Sequence, residues 1–391
     1  MMALDNTEIA FKHKSDKQLN KAYWLFKLVG SPFMVKLGKL FTTIAFKLRL
    51  PIKGVVKNTI FEQFCGGESI KECEHTINLL GSSKIGTILD YSVEGKDDEK
   101  DFESTCQQII ETIKKAKNNP TIPFSVFKTT GIAKMSILEK ANKGLEHLTT
   151  EERKSFGDIH KRVELICRAA HQADVPIFID AEESWIQNPI DDLAEEMMKL
   201  FNKEKPIVFN TIQLYRVDRL DFLKKSYQKA IEGNYFLGEK LVRGAYMEKE
   251  RERANELGYP DPIHKTKEDT DRDYNLAVEF CAEHIERIAF CAGTHNEQSS
   301  LVLANKLKEK NMPLNHPNAY FAQLLGMSDH ISFNLAANGF NVAKYVPYGP
   351  VEEVLPYLIR RAEENTSVAG QSGRELSLII KERERRIRAK N

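Results

Sequence analysis

A chain of 391 residues with 41% hydrophobic content can bury a large core, either as one barrel of about 250 residues with added helices or as two average domains. A formal net charge of +1 argues against a dedicated nucleic-acid binder. The six cysteines form no CxxC pair, which argues against a disulfide frame or zinc site and reads as reduced, buried thiols of an intracellular protein.

No run of about 18 apolar residues is free of charge, so no transmembrane helix is expected. The first residues lack the layout of a secretory signal or transit peptide. Residues 1–84 read as a helical arm. From Lys17 to Phe61 there is no acidic residue, while basic residues recur from Lys17 to Lys57 among Tyr23, Trp24, Phe26, Phe33, Leu37, Leu40 and Phe41. Lysine interleaved with aromatic and aliphatic groups is what a helix lying in an anionic membrane interface requires. The competing expectation is an ordinary arm that packs its apolar face on the main domain, with lysines outward.

From residue 85 the pattern changes. Eight short apolar runs, at 86–91, 123–128, 175–180, 207–213, 240–246, 288–293, 319–324 and 343–347, alternate with amphipathic helical stretches. Nearly continuous apolar strands mean that both faces are buried, as in a parallel sheet. Eight such units over 85–370 predict an α/β fold, a (βα)8 TIM-type barrel. A doubly wound sheet is the competitor, but no GxGxxG follows the first strand and no Walker-type loop occurs.

Asp90, Lys128, Asp180, Gln213, Tyr246, Thr294, His295, Asn296 and Tyr345 fall at or just past the expected strand ends. In a barrel those ends converge on one mouth, the usual place for chemistry. His264, His295 and His316 are isolated from one another, so no metal site is expected.

After the last strand, a Gly349-Pro350 turn opens a helix that carries Arg360 and Arg361. Glu364 lies four and three residues further on and can reach both from one helical face. Two adjacent guanidinium forks suit a small carboxylate, which they can grip with bidentate, charge-assisted bonds. Residues 371–391 read as a basic helix or tail, with Lys381–Lys390 as a solvated, frayed end.

Six segments in order, PIFIDAEES (176–184), NTIQLY (210–215), KLVRGAY (240–246), THN (294–296), QLLGM (323–327) and KYVPYGPVEEVLPYLIRRAEEN (344–365), together resemble proline dehydrogenase, in its monofunctional, mitochondrial-type branch. The resemblance implies a distorted (βα)8 barrel that holds FAD non-covalently. It implies oxidation of L-proline to Δ1-pyrroline-5-carboxylate by hydride transfer to flavin N5, with electrons passed to a membrane quinone. The enzyme then mainly fixes geometry, since orientation can supply much of the rate.

By this resemblance Arg360, Arg361 and Lys128 pair with the proline carboxylate, and Glu364 orients an arginine. Asp180 lies close to substrate and flavin, and Tyr345 packs against Arg360. Tyr246, Ala245 and Leu324 form the walls around the ring. The cofactor residues are Gln213, Val242, Arg243, Gly244, Ala245, Thr266, Lys267, Thr294, His295 and Asn296. Lys240 stands where the bifunctional bacterial enzymes carry an arginine beside N5, and a lysine presents a point charge instead of a planar fork. The bulk of Tyr345 favours proline over 4-hydroxyproline.

The resemblance further implies a peripheral place at the bacterial inner membrane or in the cytoplasm, or at the mitochondrial inner membrane in a eukaryote, with pyrroline-5-carboxylate dehydrogenase as a partner. Competing functions are a hydroxyproline dehydrogenase, a flavin barrel like methylenetetrahydrofolate reductase, and a non-enzymatic, membrane-docked binding protein.

Overall fold

A computed structural model describes residues 3–48, 51–92, 98–367 and 371–390, with the side chains of 43–47, 364–367, 371 and 372 left undescribed. Eight strands close into a barrel in chain order. They are β1 (Ile85–Tyr91), β2 (Phe124–Lys128), β3 (Ile177–Asp180), β4 (Val208–Gln213), β5 (Leu237–Val242), β6 (Ile288–Gly293), β7 (Ala319–Leu324) and β8 (Val342–Tyr348). The registered pairs are all parallel. Helices alternate with the strands, so both faces of the sheet are covered. β3 and β4 are accordingly buried along their whole length. The expected (βα)8 barrel is what the chain forms.

One expected strand is displaced. The run at 240–246 was expected to be the fifth strand, but β5 starts at Leu237 and stops at Val242. Gly244 ends it with φ at +139°, and a Cβ there would lie 2.4 Å from the Tyr215 ring. Only glycine fits that close approach. Arg243 to Tyr246 therefore lie beyond the strand, and Tyr246 precedes the helix Met247–Leu257.

The chain divides into two compact units, one of residues 96–322 and one combining 1–95 with 323–391. In the first, the helix Thr150–Ala173 shows how local sequence sets an element. Thr149 and Glu152 form a reciprocal capping box at its start. Its face of Ile159, Val163, Ile166 and Ala170 is buried at helical spacing. Within the same unit, Phe124 stacks on Phe178 with ring centres 4.4 Å apart, and Phe209 and Tyr320 meet Phe124 edge-on at 5.6 and 4.8 Å. These rings come from β2, β3, β4 and β7 and form an aromatic plug in the barrel interior.

In the second unit, the helices Asp16–Val29 and Gln371–Arg388 share a core of Leu19, Ala22, Phe26, Leu378 and Ile379, with Ala362 added from the helix Leu355–Ser367. Arg386 reaches Asp16 at 2.9 Å and Glu382 at 2.7 Å. In the stretch expected to be a solvated, frayed end, Lys381–Lys390, the helix runs on to Arg388 and Glu382 is buried, while Lys381, Glu384 and 387–390 are exposed. Apolar residues at helical spacing, unweighted beside the many charges, bury one face of that helix.

All six cysteines are free and buried. Among the described residues, no helix is long and apolar enough to cross a membrane, and no cluster of side chains could hold a metal ion.

Candidate active site

In the unit of residues 96–322, Asp180 ends β3 and is buried. The β2–β3 register sets Lys128 opposite it, and the Lys128 Nζ donates to Asp180 Oδ2 at 2.9 Å. Lys240, from β5, donates to Asp180 Oδ1 and lies 5.2 Å over the Phe178 ring. One carboxylate thus sits between two ammonium groups on the aromatic plug. Three expected site residues are brought together here.

The loop after Asp180 is locked by a residue the sequence did not single out. Glu182 is buried and accepts hydrogen bonds from the Thr130 N–H, at 2.9 Å, and the Thr130 hydroxyl. Thr130 follows Lys128 directly after β2, so Glu182 ties the two strand ends together. Burial pushes its carboxyl up to about 7, against the opposing effect of the Thr130 bonds and Lys128. The Gln213 side-chain amide donates to the Glu182 carbonyl at 2.7 Å, which joins the end of β4 to the same loop. Glu250 accepts from both the N–H and hydroxyl of Ser184, each at 2.6 Å, and so caps the helix Ser184–Phe201 from a distance.

A second constellation of the same unit gathers around Arg243. Its guanidinium donates to Asp271 at 2.7 Å, to the Thr294 hydroxyl at 2.6 Å and to the Ser299 hydroxyl at 2.9 Å, and lies 4.4 Å over the Tyr274 ring. Asp271 also accepts from Lys267, which follows the exposed N-cap Thr266. Burial alone would raise the Asp271 carboxyl, but Lys267 and Arg243 outweigh it and hold the group below its usual range. Asn296 caps the helix Glu297–Glu309, its side chain accepting from the Ser299 N–H at 3.0 Å. Arg243, Thr266, Lys267, Thr294 and Asn296 thus fall together, and His295 lies between the last two. Val242, Gly244, Ala245 and Tyr246 are partly or fully exposed beside them. Asp271 and Ser299 were missed in the sequence because a carboxylate and a serine inside charged helices have no motif to mark them.

In the other unit, Leu324 ends β7 and Tyr345 lies within β8, and the N–H of Leu325 donates to the Tyr345 carbonyl at 2.8 Å. Arg360 and Arg361 follow on the helix Leu355–Ser367. Arg361 is buried, its guanidinium 5.2 Å over the Tyr357 ring. The side chain of Glu364 lies outside the described residues.

Fold and strand-end chemistry define a (βα)8-barrel enzyme. A family model described as proline dehydrogenase matches residues 73–374. A mitochondrial proline dehydrogenase of Dictyostelium discoideum is 35% identical over 98% of this chain and 75% of its own length. A carbapenem antibiotics biosynthesis protein of Pectobacterium carotovorum is 34% identical over 83% of this chain and 84% of its own. Among solved structures, proline utilization A from Bdellovibrio bacteriovorus superposes with a TM-score of 0.72 at 20% identity, covering 92% of this chain, which spans 38% of that longer chain. That likeness speaks to the fold. The chain belongs to the proline dehydrogenase family and is an enzyme that oxidises proline.

Proposed function

We propose that the chain carries out the FAD-dependent oxidation of L-proline to Δ1-pyrroline-5-carboxylate, the first step of proline breakdown, and passes the electrons to a membrane quinone. The observation that carries this reading is Asp180 held between Lys128 and Lys240, the first two at the ends of β3 and β2 and the third within β5, in a chain of this family.

The donor set around Arg243 fits the diphosphate of FAD. It combines a guanidinium, the Lys267 ammonium and the N–H groups at the start of the helix Glu297–Glu309, which favour anions. Lys240, Gln213, Val242, Gly244, Ala245, Thr266 and His295 complete the residues assigned to the cofactor. When bound, FAD supplies the hydride acceptor at N5.

The remaining roles belong to the chain's own groups. Arg360 and Arg361 grip the proline carboxylate, and Lys128 adds a third cation. Asp180, stabilised as an anion by two ammonium groups, aims both lysines. Tyr246, Ala245, Leu324 and Tyr345 enclose the five-membered ring, and Glu364 pre-orients an arginine. Catalysis then rests mainly on holding the ring carbon in reach.

The decisive experiment is an anaerobic absorbance titration of the purified chain. A flavin band near ~450 nm, expected for this cofactor class, should bleach with L-proline and less with 4-hydroxyproline. A flavin that bleaches only with a nicotinamide donor would favour the folate-reductase type of chemistry. A chain that takes up no FAD would sink the reading.

The acceptor gives the helical arm a purpose. Trp24 and Leu28 on the helix Asp16–Val29, with Phe33, Leu37, Leu40 and Phe41 on the helix Pro32–Lys47, are exposed, Phe33 at 71%. Lys27 lies 5.0 Å over the Trp24 ring, and Lys36 flanks the stripe. Apolar groups outward among lysines, with no acid between Lys17 and Phe61, suit an anionic lipid surface. The names of the mitochondrial relatives support a mitochondrial setting, where the product would pass to pyrroline-5-carboxylate dehydrogenase. Vesicles containing phosphatidylglycerol should sediment the chain, whereas pure phosphatidylcholine should not, and Phe33→Ser with Phe41→Ser should abolish the difference. A variant that still prefers the anionic vesicles as strongly as the parent would refute the lipid surface.

A further inference from the structure

Within the unit that combines 1–95 with 323–391, the largest wholly buried cation is on β8. Lys344 is 0% exposed, although successive side chains of a strand leave on opposite faces and its neighbour Tyr345 is partly exposed. A lysine shut away from water is expensive unless its donors are satisfied. Here the Nζ reaches Asp329 at 3.0 Å and the carbonyls of Leu324 and Met327 at 3.3 and 2.5 Å. All three partners belong to the turn that follows β7 or to the helix it starts.

That turn, 324–328, has a backbone that needs holding. Gly326 and Ser328 both have positive φ, +75° and +52°. Four further contacts pin it. The Gln63 amide donates to the Gly326 carbonyl at 2.8 Å, and the Ser328 N–H donates to the buried Glu375 carboxylate. The Leu325 N–H donates to the Tyr345 carbonyl at 2.8 Å, and the Met327 N–H to the Leu324 carbonyl at 3.2 Å. Lys344 grips the turn at both of its shoulders. Its counter-ion Asp329 is in turn met by Lys14 at 3.2 Å and by His13 at 3.8 Å, and the His13 ring stacks on Phe333 at 4.1 Å. The N-terminal arm is fastened there by Asn334, whose amide donates to the carbonyls of Leu4 and Asn6.

We propose that Lys344 is a positioning residue for the ring-binding wall: its ammonium, anchored by Asp329, clamps the Leu324 and Met327 carbonyls and so fixes where Leu324 stands against the substrate ring. The inference rests on the reading that Leu324 lines that ring. An apolar residue could fill the same space, but it could not hold two carbonyls of a strained turn. Lys14 completes the device, so the N-terminal arm is part of what shapes the wall.

The test uses the full-length, FAD-loaded enzyme and reads kcat and KM for L-proline and for trans-4-hydroxy-L-proline separately. The variants are Lys344→Met, the double change Lys344→Met with Asp329→Asn, and Leu324→Ala. The double variant removes the clamp without stranding a buried carboxylate, so it carries the decision where the single one does not fold. In the clamp variants the KM for proline should rise on the order of tenfold with kcat changed less, and discrimination against the hydroxylated ring should fall several-fold. A merely structural lysine would lower the melting temperature and leave that discrimination unchanged, which overturns the proposal. Leu324→Ala separates the two failures. If it shifts discrimination while the clamp variants do not, the clamp is wrong and the wall stands. If neither shifts it, the wall assignment falls and the clamp with it.

Discussion

Lys128 and Asp180 stand opposite each other in the β2–β3 register, and their side chains close to 2.9 Å at the strand ends. Asp180 also holds Lys240, which is as buried as the carboxylate itself. Asp180→Asn keeps the shape but removes the carboxylate that both Lys128 and Lys240 meet. Breaking a buried pair from one side costs about 3 kcal/mol. Denaturant unfolding should show a loss of that order, and proline turnover should fall along with it. A midpoint unchanged by the substitution would mean that water already screens the pair.

The Arg361 guanidinium lies 5.2 Å over the Tyr357 ring, a contact that suits a delocalised cation. Arg361→Lys preserves the charge and removes both the stacking and the bidentate fork. The KM for proline should rise roughly tenfold to a hundredfold, in line with the loss of a charge-assisted hydrogen bond. Steady-state kinetics at saturating acceptor would reveal it. An unchanged KM would remove Arg361 from the carboxylate site.

Glu182 makes stability depend on pH in a defined direction. Burial raises its folded-state pKa to about 7, above the ordinary value of 4.5. The folded chain therefore binds this proton more tightly than the unfolded one. The stability it contributes is complete below pH 4.5 and is lost as pH rises through 7. Glu182→Gln has no proton to lose, so its stability relative to the parent should climb between pH 5 and pH 8, by on the order of 3 kcal/mol at most. Chemical unfolding at both pH values measures the crossing. Parallel behaviour of the two proteins would place the carboxyl in contact with water.

Arg243 spends its donors on Asp271, Thr294 and Ser299 in three directions that a lysine could not imitate. Arg243→Lys should weaken FAD retention about tenfold while leaving the barrel folded. Asp271→Asn, which frees both Arg243 and Lys267 from one anchor, should weaken it in the same sense. Flavin fluorescence during titration of the apoprotein reads both affinities. Retention equal to the parent's in both variants would move the diphosphate elsewhere.

The barrel was legible because its signals are local. The runs at 288–293 and 319–324 coincide with β6 and β7 to the residue, since buried parallel strands are apolar throughout. The fifth strand was displaced because its end is set by the packing of Gly244 on Tyr215, a contact between segments far apart in sequence. Asp180 and Lys128 could be read from their positions at strand ends. Their mutual pairing with Lys240 could not, because it depends on which side chains share the barrel interior. Glu182, Asp271 and Lys344 were not singled out at all. Each is a charged residue in a charged or apolar stretch, and the burial of Glu182 and Lys344 and the pairing of Asp271 with Arg243 and Lys267, which give them meaning, are properties of the folded chain.

The six cysteines give the molecule a chemical silence. All are buried and unbridged, and burial pushes the thiol of Cys106 up to about 11 and that of Cys73 up to about 12. A thiol needs its thiolate form and an open approach to react, so a disulfide reagent added at neutral pH should find almost nothing to titrate. Unfolding uncovers six reactive groups at once. Thiol titration is thus a built-in clock for global opening, and a single cysteine placed on the surface could be tagged cleanly against that dark background.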